Sequence, residues 1–344
     1  MNIALFGYGG VGKAFVRLIA EKKDLLAGNG LPVSLICVAG RNGGICDKNG
    51  IDTDELAAFS KAGTELSGFG GFSANISADT VITSGITDLA VVATPTNKKT
   101  GQPGLDIIRK LLAADISVVT ADKGPVLLAF DELTELAKSR RVQFAAGCTA
   151  GGALPAVNGG MADMAGARIK TIEGIFNGTS NYILDRMEQE GISLQEALED
   201  AVRSGIAEAD PSLDIEGYDT AIKLLILAKM HMGVKASLDH VKVQGISGLT
   251  TEDIQKAKNA GYRYRLMGRA VKRENGRTDL WTGPVAVGPD DFFHGVRGKN
   301  KAVRFASDTL GELLMAGGAS GTEAAAAALL RDVININRGY KFVL

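Results

Sequence analysis

Between residues 205 and 230 the chain reads GIAEADPSLDIEGYDTAIKLLILAKM. Five carboxylates (Glu208, Asp210, Asp214, Glu216 and Asp219) fall within twelve residues, and one lysine, Lys223, then stands inside the apolar run AIKLLILA. The pattern predicts a helix beginning near Asp214 or Ile215, with acids in its first turn where the helix dipole favours them. Asp219 and Lys223 are four residues apart, so they share one face about one turn from each other. Apolar neighbours leave the ammonium few routes to water other than a polar cleft. Burial lowers a lysine's pKa and a nearby carboxylate raises it. In a dry site such a lysine can exchange a proton with a substrate near neutral pH. A plain ion pair whose lysine stem snorkels to the surface fits these residues equally well.

The first half of the chain bears on that choice. NIALFG is a short apolar run suited to a buried parallel strand. It is followed at once by GYGGVG, with Gly7, Gly9 and Gly12 in GxGxxG spacing, and then by the helix-like KAFVRLIAEKKDLL. Strand before and helix after is the context a dinucleotide fingerprint requires. Gly7 permits the tight turn, Gly9 lets backbone approach a pyrophosphate, and Gly12 allows close helix–strand packing. The helix N-terminus then offers amides to the phosphates. A second strand, VSLICVAG, ends near Arg41, where an NAD-preferring site usually carries an acid. Arginine there suits a 2′-phosphate and favours NADP over NAD, unless it is only an exposed strand-end residue.

Strands and helices continue to alternate: DLAVVATPTN, GLDIIRKLLAA, ISVVTADK, FDELTELAKSRR and VQFAAG. This rhythm predicts a mostly parallel sheet, which binds ligands at the carboxyl ends of its strands. The turns Thr94 to Asn97 and Thr120 to Lys123 lie at two such ends. After CTAGGALP the alternation stops. RIKTIEGIFN reads as a strand and GTSNYILDRMEQEG as a helix. Ser193 with Glu196 forms a capping-box pattern opening the next helix. Two strands flank the Asn275-Gly276 turn, KAVRFASDTLGELLMAGG reads as another strand pair, and the alanine-rich SGTEAAAAALLRDVININRG as a helix.

The expected fold class is therefore α/β, a Rossmann-type mostly parallel sheet domain with an α+β catalytic and dimerisation domain. The expected boundaries are 1–150 for dinucleotide binding and 151–317 for catalysis and dimerisation. Residues 318–344 are expected to form a C-terminal helix returning to the first domain. Composition agrees with an ordinary globular protein: 344 residues, 45% apolar, and a net charge of -1 without a basic cluster. Nucleic acid is not expected as a partner. Three cysteines are too few and too scattered for a disulfide framework, and the dispersed His231, His240 and His294 argue against a metal site. His231 reads as a helix-end residue. With neither a signal peptide nor a membrane span, the expectation is a cytoplasmic protein.

A dinucleotide domain needs a second domain that brings a substrate and an acid/base group to the nicotinamide, and Lys223 is the strongest candidate. Here the chain resembles the homoserine dehydrogenase family over nearly its full length. The family pattern G-[YF]-A-E-x-D-P-x-x-D-x-x-G-x-D-x-x-x-K is matched by Gly205, Ala207, Glu208, Asp210, Pro211, Asp214, Gly217, Asp219 and Lys223. VVTADKGPV is similar to the family's VVTANK turn, NGTSNYIL to GTTNYIL, and GGASGTEAAAAALLRD to its glycine-rich turn and closing helix.

The resemblance implies reversible, nicotinamide-dependent interconversion of L-homoserine and L-aspartate 4-semialdehyde, a step of threonine and methionine biosynthesis, in a homodimer. It implies Lys223 as proton donor and acceptor, with Lys123 as a second active-site lysine. Glu208 and Asp219 would bind the substrate, with Thr179 beside them and Asp214 orienting the lysine. Gly7, Gly9, Gly10, Val11, Gly12, Thr94, Lys123, Gly205, Gly318 and Gly321 would contact the dinucleotide, NADP with NAD as the alternative. Two departures matter. Ile206 replaces the family's usual aromatic residue, altering one wall of the substrate pocket. Gly147 replaces the glutamate associated with a monovalent-cation site, which counts against a sodium site at carbonyls near Ala150 and Gly152. A related dehydrogenase of another small amino or hydroxy acid is the alternative among enzymes. A nucleotide sensor without catalysis is the alternative outside them.

Overall fold

The opening apolar run becomes β1 (Asn2–Phe6), whose Ile3, Ala4, Leu5 and Phe6 are at most 3% exposed. Parallel strands covered on both faces are uniformly apolar, and this one is central to its sheet. The computed structural model describes residues 1–208 and 210–343. They divide into one unit of Met1–Thr149 with Gly321–Leu344, and a second of Ala150–Ser320.

In the first unit β1 leads to α1 (Gly10–Gly28), β2 (Ser34–Gly40), β3 (Gly43–Cys46), α2 (Thr53–Lys61), β4 (Phe72–Ser73) and α3 (Ala78–Ser84). Then come β5 (Leu89–Val92), α4 (Gly104–Ala113), β6 (Ser117–Thr120), α5 (Lys123–Arg140) and β7 (Phe144–Ala145). The seven strands lie in the order β4-β3-β2-β1-β5-β6-β7. β2, β1, β5, β6 and β7 run parallel, while β3 and β4 turn back antiparallel at one edge. The mostly parallel sheet expected from the alternation is thus present. The segment from Gly43 to Ser84, by contrast, gives no strong sequence signal. Its strands are four and two residues long, and pairing of β3 with β2 and of β4 with β3, rather than local preference, makes them strands.

That pairing also sets Cys37 opposite Cys46, and the two form a disulfide, while Cys148 is a buried free thiol. Spacing along the sequence hides this link because the β2–β3 hairpin creates it.

The second unit contains α6 (Ala156–Ala162), β8 (Ile169–Ile175), α7 (Gly178–Glu190), α8 (Leu194–Arg203), α9 (Ser212–Ile215) and α10 (Tyr218–Met232). It continues with β9 (Lys242–Val243), α11 (Thr251–Asn259), β10 (Arg263–Lys272), β11 (Thr278–Val287), β12 (Lys301–Ser307) and β13 (Glu312–Gly317). Its sheet runs β13-β12-β8-β10-β11-β9, antiparallel except for the β11–β9 pair. Helix α10 packs on β8 and β10, with Leu224, Leu225, Ile226 and Leu227 wholly buried. The Ser193–Glu196 capping box at α8 forms as its spacing predicts. The chain then ends in α12 (Thr322–Asn337), which packs on α1 within the first unit.

One expected element is corrected. The helix expected from Asp214 or Ile215 onward is two helices, α9 and α10, separated at Glu216 and Gly217. Gly217 adopts φ of 81°, a left-handed conformation that glycine enters without a Cβ penalty. Asp214 therefore lies in the last turn of one helix and Asp219 in the first turn of the next.

Candidate active site

The first unit holds a cleft of about 1370 Å³ at the carboxyl ends of β1, β2 and β5. Gly7, Gly9, Gly10, Val11, Arg41 and Thr94 all line it. Gly12 does not; it is buried behind the turn, where an added Cβ would lie 1.9 Å from the Gly7 carbonyl oxygen. Its absent side chain lets α1 close on β1, so the amides at the helix start face the cleft. Gly9, the N-cap, has no side chain to occupy those amides. Gly321 caps α12, and a Cβ on Gly10 would lie 2.8 Å from Cγ2 of Thr322. The starts of α1 and α12 are neighbours, joined further along by an Arg17–Glu323 ion pair.

Five basic residues line the cleft (Lys13, Arg41, Lys98, Lys99 and Lys110) against three acidic ones (Glu65, Asp79 and Asp106). The Lys110–Asp79 pair at 2.7 Å neutralises one of each. An excess of positive charge beside uncapped helix amides fits a dinucleotide's phosphates. Tyr8, which no motif marks, also lines the cleft, and burial pushes its phenol up to about 12.

Thr94 is fixed from below. Its hydroxyl donates to Asp122 Oδ2 at 2.8 Å, while Gly124 N–H donates to Oδ1 at 2.9 Å. Asp122 is fully buried, and burial raises its carboxyl above the ordinary range against these hydrogen bonds. The aspartate of the ADK turn thus caps α5 and braces Thr94. Lys123, the next residue, opens α5 with its backbone N–H toward Thr96 Oγ1 at 3.4 Å.

In the second unit the sequence pair is realised. Lys223 Nζ lies 2.6 Å from Asp219 Oδ2, with side chains 14% and 13% exposed. The ammonium also donates to the Phe176 carbonyl at 2.8 Å. Asn177, the N-cap of α7, organises the rest. Its Nδ2 donates to Asp219 Oδ2 at 2.8 Å and to Asp214 Oδ1 at 2.6 Å, while its Oδ1 accepts from Ser180 N at 2.8 Å. One amide thus ties α7, α9 and α10 together around the lysine. Asn177 escapes the motif reading, although an asparagine immediately before a predicted helix is an N-cap signal.

The other expected residues fall around this cluster rather than in it. Thr179 donates to the Ile206 carbonyl at 3.2 Å and so tethers the stretch leading to Glu208. Glu208 is exposed, and Gly205 ends α8 in a left-handed turn with φ of 66°. Ile206 packs on the apolar cluster containing Ile183, Leu184 and Ile215. Gly318 packs on the backbone of Leu154. His231 sits in the last turn of α10, edge-on to Phe305, and burial pulls its imidazole down to about 4. It is therefore neutral at ordinary pH. Among the described residues, no group of three or more His, Cys, Asp or Glu side chains could hold a metal ion. No described helix is long and apolar enough to cross a membrane.

A cleft built for a dinucleotide and a lysine held by a carboxylate are the equipment of an NAD(P)-dependent oxidoreductase. Comparison with known proteins narrows the class. The family described as Homoserine dehydrogenase matches residues 155–334. Across 341 residues the chain is 35% identical to a homoserine dehydrogenase of Methanocaldococcus jannaschii, covering 99% of this chain and 100% of that one. An NAD(+)-dependent homoserine dehydrogenase of Pseudomonas canavaninivorans is 32% identical, over 98% of this chain and 96% of its own. The fold superposes with a TM-score of 0.84 on a hyperthermophilic archaeal homoserine dehydrogenase mutant in complex with NADPH, at 26% identity. That match covers 100% of this chain and 99% of the other. The chain belongs to the homoserine dehydrogenase family.

Proposed function

We propose that Lys223 is the proton donor and acceptor in the interconversion of L-homoserine and L-aspartate 4-semialdehyde. The carrying observation is the Asp219–Lys223–Phe176 geometry, with Asn177 bracing Asp219. A lysine ammonium has three N–H groups. Two are directed by the Asp219 carboxylate and the Phe176 carbonyl, which leaves the third for the substrate oxygen. Nicotinamide, when bound, takes the hydride in oxidation and gives it in reduction. Lys223 as free amine accepts the hydroxyl proton in oxidation, and as ammonium donates it to the carbonyl oxygen in reduction. Asp219 and the Phe176 carbonyl keep the nitrogen in place.

Glu208 with Asp219 binds the substrate's α-ammonium, while Thr179 holds the Gly205–Glu208 stretch in register. Gly7, Gly9, Gly10 and Val11 present backbone to the pyrophosphate, and Thr94, Lys123, Gly205, Gly318 and Gly321 complete the cofactor contacts. Arg41 meets the 2′-phosphate, so NADP is preferred to NAD. The enzyme works in the cytoplasm as a homodimer, a state that sedimentation of the purified protein reads directly.

The test is absorbance of reduced nicotinamide with L-homoserine and either cofactor, beside Lys223→Ala. Turnover that disappears in the variant supports the lysine's role. Wild-type protein that binds cofactor yet is inert with homoserine overturns the substrate assignment.

A further inference from the structure

Lys301 opens β12 and is 4% exposed. Its Nζ donates to the Gly151 carbonyl at 2.8 Å and to the Ala319 carbonyl at 3.2 Å. These carbonyls belong to two turns of the second unit, one preceding α6 and one following β13. Strand register sets Lys301 opposite Gly317, so its side chain reaches the turn that β13 leads into. The turns meet backbone to backbone. A Cβ on Gly318 would lie 2.3 Å from the Leu154 amide nitrogen, and one on Gly152 would lie 3.4 Å from Lys301 Nζ.

Carbonyl oxygens aimed at one point repel each other unless positive charge sits between them. A metal cation or an ammonium can supply it, and a buried ammonium is tolerated only when its N–H groups are paired. The family resemblance places a monovalent cation near Ala150 and Gly152, with a glutamate close by. The residues present do not fit one. Gly147 brings no carboxylate, its N–H is engaged by Asp332 Oδ2 at 2.9 Å, and the Lys301 ammonium lies against the Gly151–Gly152 turn.

We propose that Lys301 supplies, from the chain itself, the charge that a sodium or potassium ion would otherwise bring to this carbonyl-lined turn. Lys301 is then a positioning residue for both turns, and the protein is indifferent to monovalent cations. The inference rests on the family reading for the cation that Lys301 replaces and for the rate, whereas melting needs no substrate.

The full-length protein is melted, and its homoserine oxidation rate measured, in sodium, potassium and choline chloride at one ionic strength. Equal melting temperatures and rates in all three salts are expected. A saturable rise in either with sodium or potassium over choline would overturn the proposal. Lys301→Met, which keeps the stem and removes the charge, is expected to melt roughly 5–10 °C lower. Lys301→Arg, which keeps a cation, recovers much of that loss. A Met variant as stable as wild type would also sink the idea. If Lys301→Met does not fold, the wild-type salt series and the arginine variant still decide. Protein inert in every salt, yet melting identically in all three, counts against the homoserine reading and leaves this one standing.

Discussion

The two units present charge by opposite means. The cleft of the first is made largely of backbone: a glycine turn, an uncapped helix start, and Thr94 braced from below by Asp122. The cluster of the second is made of side chains: Lys223, Asp219, Asn177 and Asp214 in one hydrogen-bonded set. Backbone amides point where the fold aims them and do not titrate, so they suit a large, constant cofactor. Side-chain charges can change protonation, which the chemical step requires. The difference teaches that a substitution in the first unit should fail through shape, and one in the second through chemistry.

The sharpest way to break this contrast is Lys223→Ala. It should lower kcat/KM for homoserine about 10³-fold, within the usual range for loss of a general acid/base. Cofactor affinity, read by titration of nicotinamide fluorescence, should stay near wild type. A variant that loses both equally would mean that the cluster shapes the fold rather than the chemistry.

Next comes Gly12→Ala in the first unit. An added Cβ 1.9 Å from the Gly7 carbonyl oxygen must push α1 off β1, at a cost of roughly 3 kcal/mol by comparison with other overpacked sites. Weak cofactor binding and a lowered melting temperature are expected together. Unchanged binding would show that the close helix–strand approach is dispensable.

Asn177→Ala probes the brace without touching the lysine. Asp219 loses one donor, and Asp214 with it, so kcat should fall roughly 10–100-fold, as when a supporting hydrogen bond to a functional group is removed. Restoration by Asn177→Ser, which keeps a short donor, would support positioning over bulk packing. Equal loss in both variants would favour packing.

The smallest effect is expected at Arg41. Replacement by alanine should raise KM for NADP about 10-fold, the scale of one hydrogen bond to a charged group, and leave KM for NAD nearly unchanged. Equal changes for both cofactors would move Arg41 from the 2′-phosphate to the general phosphate field.

The reasons some parts were legible follow from how far each signal reaches. GYGGVG lies between a strand and a helix in sequence as in space, so its turn is readable. Asp219 and Lys223 are one helical turn apart, so their pairing follows from the period of a helix alone. The break at Gly217 was not readable, because a helix can begin on either side of the glycine until Gln244 and Thr282 pack against it. Asn177 lies thirty-seven residues before Asp214 and forty-two before Asp219. Nothing local announces that one amide will serve both. Cys37 and Cys46 likewise meet only once β3 turns back on β2.

By itself, then, the sequence determined the alternation of the first half, the glycine turn, the lysine–carboxylate face and the family. Apart from the family, whose likeness runs over nearly the full length, each depends on residues within one element or its immediate neighbour, where local geometry dictates the outcome. Tertiary structure alone decided the antiparallel edge of the first sheet, the Asn177 brace, the split of α9 from α10, and the burial of Lys301 against two turns. These arise where distant segments are brought within hydrogen-bonding range, and the free energy that selects them belongs to the pair and not to either segment alone.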